Sequence, residues 1–440
     1  MDSLTNKLQE KLIPFARKLD TNRYLTAIKS GFLASMPLLI IGSVFLLFEN
    51  IPWAPYTNFM VSVLGKNWAQ YFSIPFESTF DIMTLFVIIG MAKSLGDYYK
   101  INAIASITIS LATYLVVTPD LTTKAGLLGI PKSSLGSAGL FLAMVTVIGA
   151  IEVYRLVAAK GWTIKMPDSV PLNVAESFSS LIPGLIVILL AYVVRLGFQF
   201  TDYGSAQSFI YKILQIPLLA LGSTLPAQLV AQLFESVLWS IGIHGGNVVG
   251  SVMDPIRMTL MAQNAHAFSI GAALPNIIQY QFGALFISIG GSGTTIGLAI
   301  AGFFFMKSRQ YKAISRVAFV PALFNISEPI IFGFPIILNP ILIIPFIITP
   351  LLMTVLTYFV MATGIVPPAS GVNIPWTTPA IISGFLVSGW RGAVWQAIEI
   401  ALSTAIYYPF LHVLDVRALQ KEQEDSASVN VENSAATEGE

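Results

Sequence analysis

Between Arg257 and Lys307 the chain runs 49 residues without an Asp, Glu, Lys or Arg, and uncharged runs of 19 residues cover 30–48, 101–119 and 133–151. A bilayer span takes about 20 mostly apolar residues. Lipid leaves no partner for a free backbone group, so only helices and closed barrels cross it. These runs are continuous and lack the period-two alternation of barrel strands. They predict an all-α polytopic membrane protein. Charged residues make up only 11% of the chain, against about a quarter in a soluble domain.

Spans are expected near 27–48, 78–95, 101–118, 136–157, 178–201 and 226–243, with a lateral helix near 254–268. Residues 50–72, with Trp53, Tyr56, Trp68 and Tyr71, read as an external loop at the aromatic belt. The first 26 residues read as an amphipathic lead-in with no cleavable signal. Their Lys7, Lys11, Arg17, Lys18 and Arg23, with Lys29, favour a cytoplasmic N-terminus. Arg417 after the last span, near 388–414, favours a cytoplasmic C-terminus too. Arg195 and Arg391 fit this orientation rule poorly.

The second half is less regular. Residues 271–306 contain Pro275 and the run "GGSGTT", and ten prolines fall between 321 and 379. Broken helices at membrane depth need cover from protein or a water-filled cavity, and such pairs point to a transport site. The expected total is about ten transmembrane helices with two re-entrant hairpins and interfacial amphipathic helices. The expected organisation is an N-terminal transmembrane dimerisation half (1–200), an amphipathic linker (201–225), a C-terminal substrate-binding half (226–415) and a disordered cytoplasmic tail (416–440).

Within that second half, "NISEPIIFGFP" (325–335) holds Glu328, the single charge between Arg316 and Arg391. An intramembrane carboxylate costs at least about 2.5 kcal/mol on insertion scales, and most such groups line pathways. Pro329 turns Glu328 away from helical geometry, where backbone groups are free to meet a ligand. A structural carboxylate accepting N–H bonds at a helix break is the plainer alternative. His244, in "GIHGGN", sits among glycines and reads either as a packed histidine or as Glu328's partner in gripping one hydroxyl.

Asn247, Gln279, Asn325 and Ser327 supply uncharged hydrogen-bonding groups, which suit a hydroxyl-rich ligand better than an ion. Trp376 is the aromatic expected to stack on a sugar ring, with interface anchoring as its alternative. The chain contains no HExxH, GxxxxGK[ST] or GxSxG. Three histidines and no cysteine make a metal site or a thiol cofactor unexpected. A net charge of +1 favours no nucleic-acid partner.

The stretches "NISEPIIFGFPIILNP" (325–340), "GIHGGNVVGSVMDP" (242–255) and "LIPFARKLDTNRYLTAIKSGFLASMPLLIIGS" (12–43) resemble the membrane-embedded IIC component of the bacterial phosphoenolpyruvate-dependent sugar phosphotransferase system. Within it, the likeness is to the lactose/cellobiose/N,N'-diacetylchitobiose group. That resemblance implies a homodimeric permease of the bacterial plasma membrane, joined through its N-terminal half, that carries a β-linked disaccharide. It implies phosphorylation of the sugar's 6-hydroxyl by a cytoplasmic IIB protein bearing a phosphocysteine, with IIA upstream. The positions matching the family's site are His244 and Glu328. With no cysteine, these 440 residues hold no IIB of that kind, so a separate phosphoryl donor is expected. A proton-coupled secondary sugar transporter using Glu328 as proton site is the competing reading of the same residues.

Overall fold

The computed structural model describes residues 14, 18–19, 21–51, 53–122, 126–167, 169–334, 336–337 and 339–437. Most of the amphipathic lead-in, including Lys7, Lys11 and Arg17, lies outside them. Among the described residues the regular structure is helical, apart from one two-stranded ribbon of Leu121–Thr122 with Leu128–Gly129.

Asn22 opens α1 (Arg23–Glu49), its side-chain oxygen accepting from Tyr24 N at 3.0 Å and Leu25 N at 3.2 Å. A polar cap of this kind satisfies orphan amides of the first turn. Residues 50–72 are largely helical, in α2 (Ala54–Leu64) and the start of α3 (Ala69–Phe80). The expected loop is replaced by helices, and Pro55 falls in the first turn of α2, where its missing N–H leaves no intrahelical bond unmade. After a break at Asp81–Ile82 come α4 (Met83–Tyr99) and α5 (Ala103–Val117), then the short α6 (Lys132–Leu135) and the apolar α7 (Leu140–Ala159). Glu152 of α7 ties three helices together, accepting from Tyr24 Oη at 2.8 Å, from Tyr99 and from Arg155 Nε at 3.0 Å.

α8 (Leu172–Ser179) leads into α9 (Leu181–Gln199). Arg195, which the orientation rule leaves unexplained, caps the end of α5. It donates to the carbonyls of Val116 and Thr118 at 2.9 and 3.0 Å and pairs with Asp120 at 2.6 Å. A cation at a helix C-terminus meets unsatisfied carbonyls and the negative dipole end. The expected linker is α10 (Ala206–Gly222), which bends by 72° into α11 (Leu225–Ser240).

α12 (Gly245–Ser269) begins earlier than expected and runs 25 residues. A π-helical turn, Phe282–Ile287, then meets the glycine-rich turn 288–295 and α13 (Ile296–Phe305). α14 (Arg309–Leu323), the one-and-a-half-turn α15 (Glu328–Gly333) and α16 (Ile343–Ala362) follow. Residues 363–381 are mostly irregular, and α17 (Ile382–Thr437) is two helices joined at Gly389, whose φ of 68° breaks the first from the second. Of the stretch 416–440 expected to be disordered, the described residues as far as Thr437 have a helical backbone, and Glu, Gln, Lys and Ala among them favour helix.

Among the described residues six helices are long and apolar enough to cross a membrane, or seven with the bent α10–α11 pair. α5 and α13 are apolar but shorter, which is where the larger sequence count arises. One apolar core joins α1, α4, α5 and α7 to α12 and the 278–287 segment. A second is built within the C-terminal half from α13, α14, α15 and α17.

Candidate functional site

α11 crosses the C-terminal half with an apolar surface broken on one side. Gln228, Gln232, Glu235 and Trp239 recur at spacings of four, three and four, which puts all four on one helix face. That face lines a cavity of about 350 Å³. The opposite wall comes from the first turns of α12, with Asn247, Gly250, Asp254 and Arg257. The irregular segments close it: Tyr280, Ser288 and Ser292 from one, Asn325, Ser327 and Glu328 from the second, Trp376 from the third.

Six of the seven residues singled out in the sequence therefore share one cavity: His244, Asn247, Asn325, Ser327, Glu328 and Trp376. Gln279 does not. It is fully buried, and its Oε1 accepts from Gln281 N at 2.6 Å, so it braces its own turn. A sequence pattern does not distinguish an amide that bonds its own loop from one that faces a ligand.

His244 is the N-cap of α12. Its Nδ1 accepts from Asn247 N at 3.1 Å, so the neutral imidazole carries its proton on Nε2. Its ring packs on Trp239 with centroids 4.4 Å apart. Asn247 in turn takes a hydrogen bond on Oδ1 from Lys29 Nζ of α1 at 2.9 Å, which ties the cavity rim to the N-terminal half.

Asn325 holds the irregular segments together. Its backbone is left-handed at φ 61°, a conformation asparagine tolerates better than most residues. Its Oδ1 accepts from Gly290 N at 2.8 Å, and its Nδ2 donates to the carbonyls of Trp376 and Thr378 at 2.6 and 3.3 Å. Both amide atoms are thus engaged by backbone. Gly291 lets the two loops touch: at φ +94° a Cβ there would lie 2.5 Å from Ser327 Cβ. Glu328 follows as the first residue of α15 and stays exposed.

The sequence reading missed the charged floor. Asp254 and Arg257 lie 3.7 Å apart, and Arg257 Nη2 donates to Gln228 Oε1 at 2.9 Å. Glu235 Oε1 accepts from Ser292 Oγ at 3.2 Å. The available signal was the polar stripe on α11, since a carboxylate inside an otherwise apolar span is a functional marker wherever it occurs. Carboxylates, amides, one guanidinium and two indoles around a cavity this size can grip hydroxyl groups and stack a ring. No group of three metal-binding side chains occurs among the described residues.

A model of the family described as "Phosphotransferase system, EIIC" matches residues 29–350. The chain is 43% identical to a protein of Geobacillus stearothermophilus named "PTS system cellobiose-specific EIIC component", over 97% of each. It is 41% identical to the "Lichenan permease IIC component" of Bacillus subtilis (strain 168), over 96% of each. Among solved structures it matches "the transporter ChbC, the IIC component from the N,N'-diacetylchitobiose-specific phosphotransferase system". There the TM-score is 0.91 and the identity 42%, over 94% of this chain and 99% of that one.

Proposed function

The chain belongs to the EIIC family of the phosphotransferase system, and we propose that it binds a β-linked disaccharide, diacetylchitobiose or cellobiose, in the cavity between α11, α12 and the irregular segments. As such a permease it is a plasma-membrane protein. It carries the sugar across and presents the 6-hydroxyl to a separate phosphorylated IIB, itself charged by IIA. The observation that carries this is the convergence of Glu328, His244 and Trp376 on one cavity with the charged floor of Glu235, Asp254 and Arg257.

The roles divide by chemistry. Glu328, the exposed carboxylate, accepts the hydroxyl proton as the phosphoryl group arrives. His244 has its Nδ1 occupied as acceptor, so its Nε2–H donates to the hydroxyl or to the incoming phosphoryl oxygens. Trp376 offers a ring face, and Asn247 and Ser327 offer polar edges. Asn325 shapes the wall. Turn 288–295 and the 363–381 segment act as the tips of two re-entrant hairpins, and the total is about ten transmembrane helices. The half from 226 to 415 moves as the transport unit against a dimer formed through residues 1–200, with both termini in the cytoplasm and membrane lipid around both halves.

The test compares uptake in cells expressing this chain with and without its IIB. Sugar should accumulate as the 6-phosphate only when IIB is present. Entry of free sugar at the same rate without IIB, driven by a pH gradient, would overturn the assignment in favour of a proton-coupled transporter.

A further inference from the structure

α12 borders two cavities. The second, of about 260 Å³, is lined by its Ala262, Gln263 and His266, by Phe80 and Asp81 at the α3–α4 break, and by Lys132, Ser133 and Ser137. At 1.5 Å per residue, Gln263 lies about 24 Å along the helix from Asn247, where the lining of the first cavity starts, and about 9 Å from Arg257, where it ends. The second cavity is thus at the far end of the same helix, on the seam between the N-terminal half and α12.

Its chemistry is polar but not that of an anion site. Lys132 is paired with Glu77 and lies 3.7 Å from Asp81, so its ammonium is already matched by carboxylates, and His266 is the other ionisable side chain in the wall beside Asp81. Gln263 Oε1 accepts from Asn276 Nδ2 at 3.0 Å. Serine hydroxyls and the buried Phe80 complete the walls. Mixed donors and acceptors with little uncompensated positive charge suit hydroxyl groups and disfavour a phosphate.

A second observation points the same way. The segment 276–280 runs from one cavity to the other: Asn276 bonds Gln263 of the second, and Tyr280 lines the first. Beside it, Gln279 Nε2, Gln281 Oε1 and Asn373 Nδ2 are buried without a protein partner. Each of these amides is bonded through its other atom, Gln279 Oε1 to Gln281 N and Asn373 Oδ1 to Gln281 Nε2, and leftover buried donors and acceptors of this kind are rare in native interiors. Asn373 N also donates to Ser43 Oγ of α1 at 2.6 Å, across that seam.

The start of α12 is bonded to Lys29 near the start of α1. With the cytoplasmic N-terminus proposed above, the other end of α12 therefore faces outward. We propose that the second cavity is an outer subsite for the same sugar, taking one ring in its unphosphorylated form and rejecting the 6-phosphate. The identity of the sugar rests on the function proposed above.

The absence of cysteine allows single-thiol reporters in the full-length protein: Ser133→Cys in the second cavity and Ser292→Cys in the first. Alkylation of each by a hydrophilic maleimide is timed against increasing cellobiose or diacetylchitobiose. Both thiols should be protected, with half-protection concentrations about tenfold or more apart. The 6-phosphate should protect only position 292. Adding Gln263→Ala should weaken protection at 133 about tenfold and leave 292 unchanged. Protection at 292 alone, or at both positions with one shared concentration dependence, overturns the outer subsite and leaves the first site standing. A thiol at 133 that does not react even without sugar also overturns it, because the cavity is then closed. Protection at neither position removes the disaccharide assignment itself.

Discussion

The side-chain amide of Asn325 donates to the backbone carbonyl of Trp376 at 2.6 Å, linking the "NISEP" loop to the segment that carries the aromatic wall of the cavity. The two residues are 51 positions apart in sequence, so their relation depends on how two broken helices meet. With Gly290 N bonded to the other end of the same amide, one side chain sets the spacing of three irregular segments.

Asn325→Ala leaves the buried Gly290 N–H unpaired, at about 1–3 kcal/mol, together with the part-buried carbonyls of Trp376 and Thr378. The variant should melt several degrees lower in detergent and bind the disaccharide at least about tenfold more weakly. Asn325→Asp keeps the acceptor for Gly290 N but sets a carboxylate oxygen against the carbonyls of Trp376 and Thr378, and should lose at least as much as Asn325→Ala. Thermal unfolding and equilibrium binding on the same preparations check this ordering. A variant that melts low yet binds normally would separate Asn325 from the cavity.

Glu328→Gln keeps the shape and polarity of the side chain but removes the proton acceptor. Sugar binding should stay within about tenfold of the parent. IIB-dependent phosphorylation should fall by about a hundredfold or more, the usual scale of general-base catalysis. Single-turnover phosphoryl transfer from loaded IIB measures the chemical step, and calorimetry the binding. Undiminished transfer would take Glu328 out of the chemistry.

His244 has two separable jobs, as cap of α12 and as a cavity wall. His244→Ala should lose both: about 1 kcal/mol of stability from the missing cap, and much of the phosphoryl transfer. His244→Ser restores a capping oxygen, so it should regain the melting temperature without regaining transfer. Equal recovery of both would mean that the histidine acts only through the helix it caps.

The helical class, and six of the residues that share the first cavity, were legible because both follow from local rules. Charge-free runs of span length allow one architecture, and the isolated Glu328 marks a polar setting inside it. What stayed hidden depended on contacts. Asn325 and Gln279 look alike in sequence, yet one amide bridges three segments and the other closes its own turn. Residues 54–64 read as loop because aromatic anchoring and helix formation use the same side chains. Glu235 was overlooked because α11 scores as a span on average, and averaging erases a one-sided polar stripe. Arg195 is a helix cap, whose reason appears only when the end of α5 is seen beside α9.

Gly291 should tolerate no side chain. At φ +94° an L-residue is strained, and the added Cβ would meet Ser327 Cβ at 2.5 Å and Asn325 O at 2.8 Å. Because these neighbours are the wall of the cavity, Gly291→Ala should open the contact between the two loops, and overpacking of this kind costs about 1–3 kcal/mol. Gly271 shares a positive φ of 68° but has nothing within 4 Å, so Gly271→Ala controls for backbone strain alone. Sugar affinity should drop in the first variant and hold in the second. Equal effects would assign the loss to strain in general.

The Asp254–Arg257 pair decides whether the charged floor serves folding or the ligand. Removing one member of a fully buried pair costs about 3–5 kcal/mol, because the other charge is left uncompensated. Here Arg257 is almost enclosed, but Asp254 keeps a third of its side chain exposed, so about 3 kcal/mol is the upper expectation for either single change. Arg257→Gln leaves Glu235 and Asp254 without the guanidinium beside them and frees Gln228 Oε1, and it should destabilise more than Asp254→Asn. The double variant removes one carboxylate together with the cation, and its melting temperature should recover part of the loss. Affinity should not recover with it, because the guanidinium that offers hydrogen bonds to sugar hydroxyls is gone in both. Binding restored together with stability in the double variant would make the pair a structural device and leave recognition to Glu235, Gln232 and the two indoles.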